Sequence, residues 1–196
     1  MAKNKKDKTK RKEANLRKEE VRKVLAEIGL EPTDDLFMVG VIFNELRVSQ
    51  RNYFALSNIN HACNTYIGLD ISIFYQHATR PAMTPACALF QVKDLLGCEY
   101  PLITTDISTT TEALNTRSQH IYHYVYDLEF LESYDSDMNV LTSAFRDDRV
   151  TLITRCEDYK KVLEAEFYKD VEVIQDFNMR RMLKKIIGDV KCHLVK

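Results

Sequence analysis

Three carboxylates follow two short apolar runs. Asp106 closes Leu102-Ile103-Thr104-Thr105, and Asp127 and Glu129 come directly after Ile121 to Tyr126. In an open parallel sheet, ligands bind in the crevice outside the carboxyl ends of the strands, so these acids would border such a crevice. A carboxylate there can accept hydrogen bonds from sugar hydroxyls, contact a metal-bound phosphate, or act as a general base. Asp127 is the candidate base. Asp106, Glu129 and Thr105 are candidate substrate contacts, and Asn44, with Glu45, ends the first strand on the same rim. His77 follows the second strand with Arg80 nearby. A histidine can serve as acid or base near neutral pH, and an arginine suits bidentate recognition of carboxylate or phosphate. Each residue also has a purely structural reading. Asp106 can be a turn residue or helix-cap partner, Asp127 and Glu129 can be solvated or salt-bridged, and His77 can be idle in a loop.

The elements that must position these groups alternate along the chain. Residues 36–43 (LFMVGVIF) are apolar throughout, as a strand buried on both faces requires. A loop over 44–50 leads to a helix over 51–66, whose apolar face includes Phe54, Leu56, Ile59, Ala62 and Cys63, with Gly68 as the stop. A second strand is expected over 69–75 and a loop over 76–84. Thr84-Pro85 then reads as an N-cap with proline at the first helical position, predicting a helix over 85–96 that ends at Gly97. A third strand occupies 101–104. Thr109 and Glu112 match a capping box and open a short helix. A fourth strand spans 120–126, followed by a helical turn and a second short helix within 128–145.

A fifth strand covers 149–153, and Thr154 to Glu157 repeats the capping-box signature. The helix after it carries Tyr159, Val162, Leu163 and Phe167 on one side. A sixth strand at 171–174 and a helix at 179–187, closed by Gly188, complete the series. This rhythm predicts an α/β fold: a doubly wound, mostly parallel sheet of about six strands with helices on both faces, Rossmann-like. Tyr122, Tyr124 and Tyr126 alternate along one strand face, which is the period of packing. His120 and His123, three apart on that strand, would face opposite sides.

Composition narrows the function. No GxGxxG follows a strand and no GxxxxGK[ST] occurs, which argues against a standard dinucleotide enzyme or a P-loop NTPase. No apolar run is long enough to span a membrane, so no membrane partner is expected. The basic N-terminus lacks an apolar core and is not read as a secretory signal. The five cysteines form no CxxC and none has zinc spacing with a histidine, so they are read as free thiols of a reducing compartment, the cytoplasm. No metal ligand set and no cofactor is assigned.

The net charge of −1 conceals an asymmetry. Residues 1–23 hold 11 lysines and arginines against four acids, a balance of +7, which leaves 17 basic and 25 acidic residues, −8, for the rest. Residues 1–12 are expected to be a disordered basic tail, 13–35 an amphipathic helix and linker, and 36–196 one domain. Lys5, Lys6, Lys8, Lys10, Arg11 and Lys12 suit a polyanion such as nucleic acid through counterion release, and serve equally as a solubilising tail.

Four segments, IFYQHATRPAMTPACALF, PLITTDISTTTEAL, HIYHYVYDLEFLE and RVTLITRCEDYKKVLEAEF, together resemble the N-terminal half of tailed-phage glycosyltransferase-like proteins, which have the two-domain GT-B architecture. The resemblance covers roughly 36–187 and is sharpest at Thr104-Thr105-Asp106 and Tyr126-Asp127-Leu128-Glu129. It implies a cleft bordered by these strand ends, a nucleotide-sugar donor, an acceptor that is DNA or a polysaccharide, and the cytoplasm of a host cell as the setting. In that architecture the second Rossmann domain holds most of the donor nucleotide. A second Rossmann-like chain or a homo-oligomer is therefore expected to complete the site, or the domain retains only a binding role. The resemblance does not explain the basic N-terminus. The rival reading is a non-enzymatic phage or nucleic-acid-associated module that uses its lysine-rich arm. A flavodoxin-like or receiver-like domain fits less well, because a receiver needs its acids after earlier strands.

Overall fold

The computed structural model describes residues 23, 25–29, 37–66, 68–131 and 138–194. The basic residues Lys5, Lys6, Lys8, Lys10, Arg11 and Lys12, most of the helix and linker expected over 13–35, and Leu36 lie outside them.

The chain forms an α/β fold around a sheet of seven parallel strands. The strands are β1 (Phe37–Leu46), β2 (Leu69–Ala78), β3 (Ala88–Gln91), β4 (Leu102–Thr104), β5 (Ile121–Val125), β6 (Val150–Thr154) and β7 (Val171–Val173). The helices are α1 (Gln50–Thr65), α2 (Ile107–Leu114), α3 (Met138–Arg146), α4 (Glu157–Phe167) and α5 (Met179–Leu194). The strand order is β3-β2-β1-β4-β5-β6-β7, the Rossmann order extended by one strand.

Each face of the sheet has its own core. Val39, Val41 and Phe43 of β1 pack with Leu56 and Ile59 of α1 and with Met182, Leu183 and Ile186 of α5. Leu25 and Ile28, from the helical turn at 25–28, are buried in the same cluster. On the other face, Ile42 and Leu102 pack with Ala113 of α2, Phe145 of α3, and Leu163 and Phe167 of α4. Period-two alternation governs β5 as expected. Tyr122 and Tyr124 belong to the first core, and Ile121 and Val125 to the second.

Several local expectations are corrected. Residues 85–96 are not a helix. They form β3 and a 3-10 turn at Val92–Leu95. Asn60 of α1 donates to the Thr84 carbonyl (2.9 Å) and accepts from the Ala86 amide (2.7 Å), so these groups serve the tertiary contact instead of a first helical turn. The open edge of β2 then pairs with Ala88 to Gln91. β1 and β2 also run three residues beyond the expected ends, which puts Asn44 and His77 on strands rather than in loops.

Neither expected capping box falls where its spacing suggested. The cap of α2 is Asp106, in extended backbone, and Thr109 is its reciprocal partner at the third helical position. The cap of α4 is Cys156. Gly188 does not end the last helix. Asp189, the next residue, accepts from the Tyr122 hydroxyl (3.0 Å) and from Lys185 (2.9 Å), and Val190 packs on the core, so the helix is held against the sheet past the glycine.

Candidate functional site

β1 and β4 lie side by side, but the helices that follow them cover opposite faces of the sheet. A crevice therefore opens between their carboxyl ends, where open α/β sheets bind ligands. It holds a cavity of about 520 Å³ whose walls include Asn44, Arg47, Arg51, Thr105, Asp106, Tyr126 and Glu129. A smaller cavity of about 210 Å³ adjoins it, bordered by Asp106, His123, Tyr126, Asp127 and Glu129. The two runs that end in carboxylates thus meet at one place, with Asn44 and Thr105 beside them.

The arginines of the crevice are already matched. Arg47 pairs with Glu45 (3.4 Å), and Arg51, in the first turn of α1, pairs with Asp127 after β5. Asp127 also accepts from the Glu129 amide (3.2 Å). Asp106 accepts a hydrogen bond from the Thr105 hydroxyl (3.0 Å), while its own amide donates to Thr109 Oγ1 (3.1 Å). The cap reading of Asp106 is therefore correct, and it leaves the carboxylate at the crevice wall. Neither Asp106 nor Glu129 is in an ion pair among the described residues.

No glycine lies between Gly40 and Gly68, and the β1–α1 turn is closed by its own side chains. Asn52 donates to the carbonyls of Glu45 (2.7 Å) and Arg47 (3.1 Å), and Ser49 caps the helix by accepting from the Asn52 amide (3.2 Å). The Asn52 amide is therefore engaged within the chain, and the turn has no glycine of the kind that lets a pyrophosphate approach the backbone in dinucleotide-binding folds.

Tyr126 is the least satisfied group of the crevice. Its ring stacks on Phe177 (centroids 6.0 Å, planes 5° apart), and Arg51 lies 5.8 Å from the ring centre. Its hydroxyl is buried and has no protein partner among the described residues. Burial holds that hydroxyl above the usual phenol range, so it is a neutral donor. Tyr124 contrasts with it. The Tyr124 hydroxyl donates to the Ile174 carbonyl (2.8 Å) and accepts from the Phe177 amide (2.9 Å). Those two bonds help hold Asp176 and Phe177, both with φ of 52°.

Beneath the crevice, β4, α2 and β5 share a buried polar cluster. His123 Nδ1 is 2.7 Å from Thr110 Oγ1 and 3.1 Å from Thr104 Oγ1, and the two hydroxyls are 2.7 Å apart. Thr110 also reaches the Asp106 carbonyl (3.1 Å). Burial drives the imidazole down to about 3, so it is neutral near pH 7.

Two sequence candidates are not brought to this crevice. His77 sits on the far side of β1, opposite Glu45 in register, and lines a different cavity of about 580 Å³ with Gln91, Lys93 and Glu112. Arg80 is exposed in the β2–β3 crossover. Conversely, Arg51 and His123 border the crevice, although the sequence points to neither as a ligand contact. Arg51 was detectable, because the first turn after β1 must face the switch point. His123 was not, because nothing in the sequence marks the threonines it meets.

No group of three or more His, Cys, Asp and Glu among the described residues could hold a metal ion. No helix of the described residues is long and apolar enough to cross a membrane. No family model, no curated protein and no solved structure matches the chain.

Proposed function

We propose that the crevice between β1 and β4 binds a hydroxyl-rich ligand, and that the protein is a glycosyltransferase-like domain taking a nucleotide sugar or its acceptor. The observation that carries this reading is the cavity wall that Tyr126 shares with Asp106 and Glu129, two carboxylates in no ion pair among the described residues, together with a Tyr126 hydroxyl that is buried and has no partner among those residues. A buried hydroxyl left without a partner costs about 1–3 kcal/mol, and a ligand oxygen would offset that cost. Carboxylates accept from sugar hydroxyls, and Tyr126 and Asn44 can donate to ring or hydroxyl oxygens. In transfer, an acceptor hydroxyl would lose its proton to a carboxylate of this wall as it attacks the anomeric carbon and the nucleotide leaves. Asp127 is engaged by Arg51, so Asp106 and Glu129 are the stronger candidates for ligand contact.

Calorimetry on the full chain with a panel of nucleotide sugars and free sugars tests this. Asp106→Asn is the informative variant, because asparagine is an equally good helix cap and should preserve the fold. Binding by the wild type that weakens tenfold or more in Asp106→Asn supports the reading. No binding of any nucleotide sugar, by the chain alone or mixed with a candidate second Rossmann-like chain, removes the donor site.

The +7 balance of residues 1–23 favours a second reading, in which the lysine-rich segment holds a nucleic acid and the domain is a scaffold. It predicts salt-dependent DNA or RNA binding that is lost when residues 1–12 are deleted. Unchanged affinity after the deletion counts against it.

A further inference from the structure

Away from the crevice, the fold joins two thiols that are distant in sequence. Cys63 lies in the last turn of α1, and Cys87 immediately precedes β3. Asn60, one turn before Cys63, clamps the crossover by its bonds to the Thr84 carbonyl (2.9 Å), the Ala86 amide (2.7 Å) and Met83 Sδ (3.4 Å). The next residue along is Cys87, so the clamp brings it beside the helical turn that carries Cys63, and both side chains pack on the same core. Both are half-buried at the margin of the α1/α5 core, so a small reagent can reach them. The remaining cysteines are placed differently. The Cys98 thiol bonds to the Tyr100 hydroxyl (3.1 Å), Cys156 stands at the N-cap position of α4 with no side-chain cap bond, and Cys192 is exposed on α5.

The location gives such a pair something to control. β3 is an edge strand of the sheet, and all four of its residues are exposed, including Leu89 and Phe90. An apolar edge is a template for unwanted pairing with other chains. The crossover that delivers it, residues 79–87, contains no helix. Its fastening to α1 is therefore the Asn60 clamp and the packing of Met83 and Cys87.

We propose that Cys63 and Cys87 are a redox-active thiol pair, which a low-molecular-weight disulfide closes into a reversible bond that staples the β3 edge to α1. In the first step the Cys63 thiolate attacks one sulfur of the small disulfide. A mixed disulfide forms on Cys63, and one small thiolate leaves. In the second step Cys87 gives up its proton and attacks the Cys63 sulfur, which expels the second small thiolate. The pair thereby loses two electrons and two protons, and the small disulfide is reduced to two thiols. The neighbouring Cys87 thiol holds the Cys63 thiol below its ordinary range and suits it to attack, while Cys63, with burial, pushes Cys87 up.

The test treats the native full chain with oxidised glutathione at graded ratios to the reduced form, then maps disulfides by mass spectrometry. The expected result is a peptide pair joined through Cys63 and Cys87, two hydrogens lighter than the free thiols, that disappears as reduced glutathione rises. Cys192 should carry only a mixed disulfide. Cys87→Ser should stop the reaction at glutathione on Cys63. Proteolysis within 79–87 should slow at least several-fold in the oxidised wild type and not in Cys63→Ser under the same treatment. Independent glutathione adducts on Cys63 and Cys87 without a link between them overturn the proposal, as does a link that forms only in denaturant. The wild-type mapping requires no variant, so a poorly folding mutant does not weaken the test.

Discussion

Arg51, in the first turn of α1, closes an ion pair with Asp127, 76 residues away after β5, and so bridges the two sides of the switch-point crevice. The side chains are 54% and 24% exposed, which places the pair in the class of partly solvated bridges. Such pairs contribute at most about 1 kcal/mol. Asp127→Asn should therefore lower the melting temperature by no more than about 4 °C. Its effect should fall instead on the position of Arg51 over Tyr126, seen as shifted Tyr126 ring resonances. A large loss of stability would show that the pair has a deeper structural role.

Tyr124 and Tyr126 stand two residues apart on one face and should respond oppositely to losing a hydroxyl. Tyr124→Phe leaves the Phe177 amide and the Ile174 carbonyl without their partner and should cost about 1–3 kcal/mol in denaturant unfolding. It should also speed hydrogen exchange at the Phe177 amide. Tyr126→Phe removes a hydroxyl that has no partner among the described residues, so stability should hold or rise slightly while affinity for the crevice ligand falls. Equal destabilisation of both variants would contradict the assigned contacts.

His123 should make stability depend on pH. In the unfolded chain its imidazole takes a proton below about 6.5, whereas in the folded protein burial delays protonation until about 3. Between those values the unfolded state binds more protons, so stability falls as pH drops. Its slope is at most about 1.4 kcal/mol per pH unit from this group. Above pH 6.5 the contribution is complete and flat. Unfolding curves at pH 7, 6 and 5 for the wild type and His123→Gln isolate the effect. The difference between the two should shrink steadily below pH 6.5, and a constant difference would show that His123 titrates normally.

Gly40 should not tolerate a methyl group. A Cβ there would sit 2.6 Å from Leu102 Cδ2 and close to the rings of Tyr100 and Phe74. Leu102 is fully buried and has little room to retreat. Gly40→Ala should cost about 1–3 kcal/mol by overpacking. Combining it with Leu102→Ala should cost less than the two single changes added together, and strict additivity would argue that the neighbours adjust freely.

The sequence by itself determined the strand and helix rhythm, the parallel sheet, and the placement of Asp106, Asp127 and Glu129 at strand ends. These follow from local causes. Apolar runs such as Val39 to Phe43 must be buried on both faces, and parallel strands joined by helices present their carboxyl ends at one side of a sheet. The tertiary structure alone decided that 85–96 would not be a helix and that Ala88–Gln91 would pair with the open edge of β2, because the hydrogen bonds of Asn60 come from a different element. It also decided that His77 would face away from the crevice, since strand order, not sequence order, puts β4 on the other side of β1. The meeting of Arg51 with Asp127, of His123 with Thr104 and Thr110, and of Cys63 with Cys87 is likewise a product of packing. Each joins residues that are remote in sequence, and no local pattern encodes which two distant side chains the closing of the sheet will bring together.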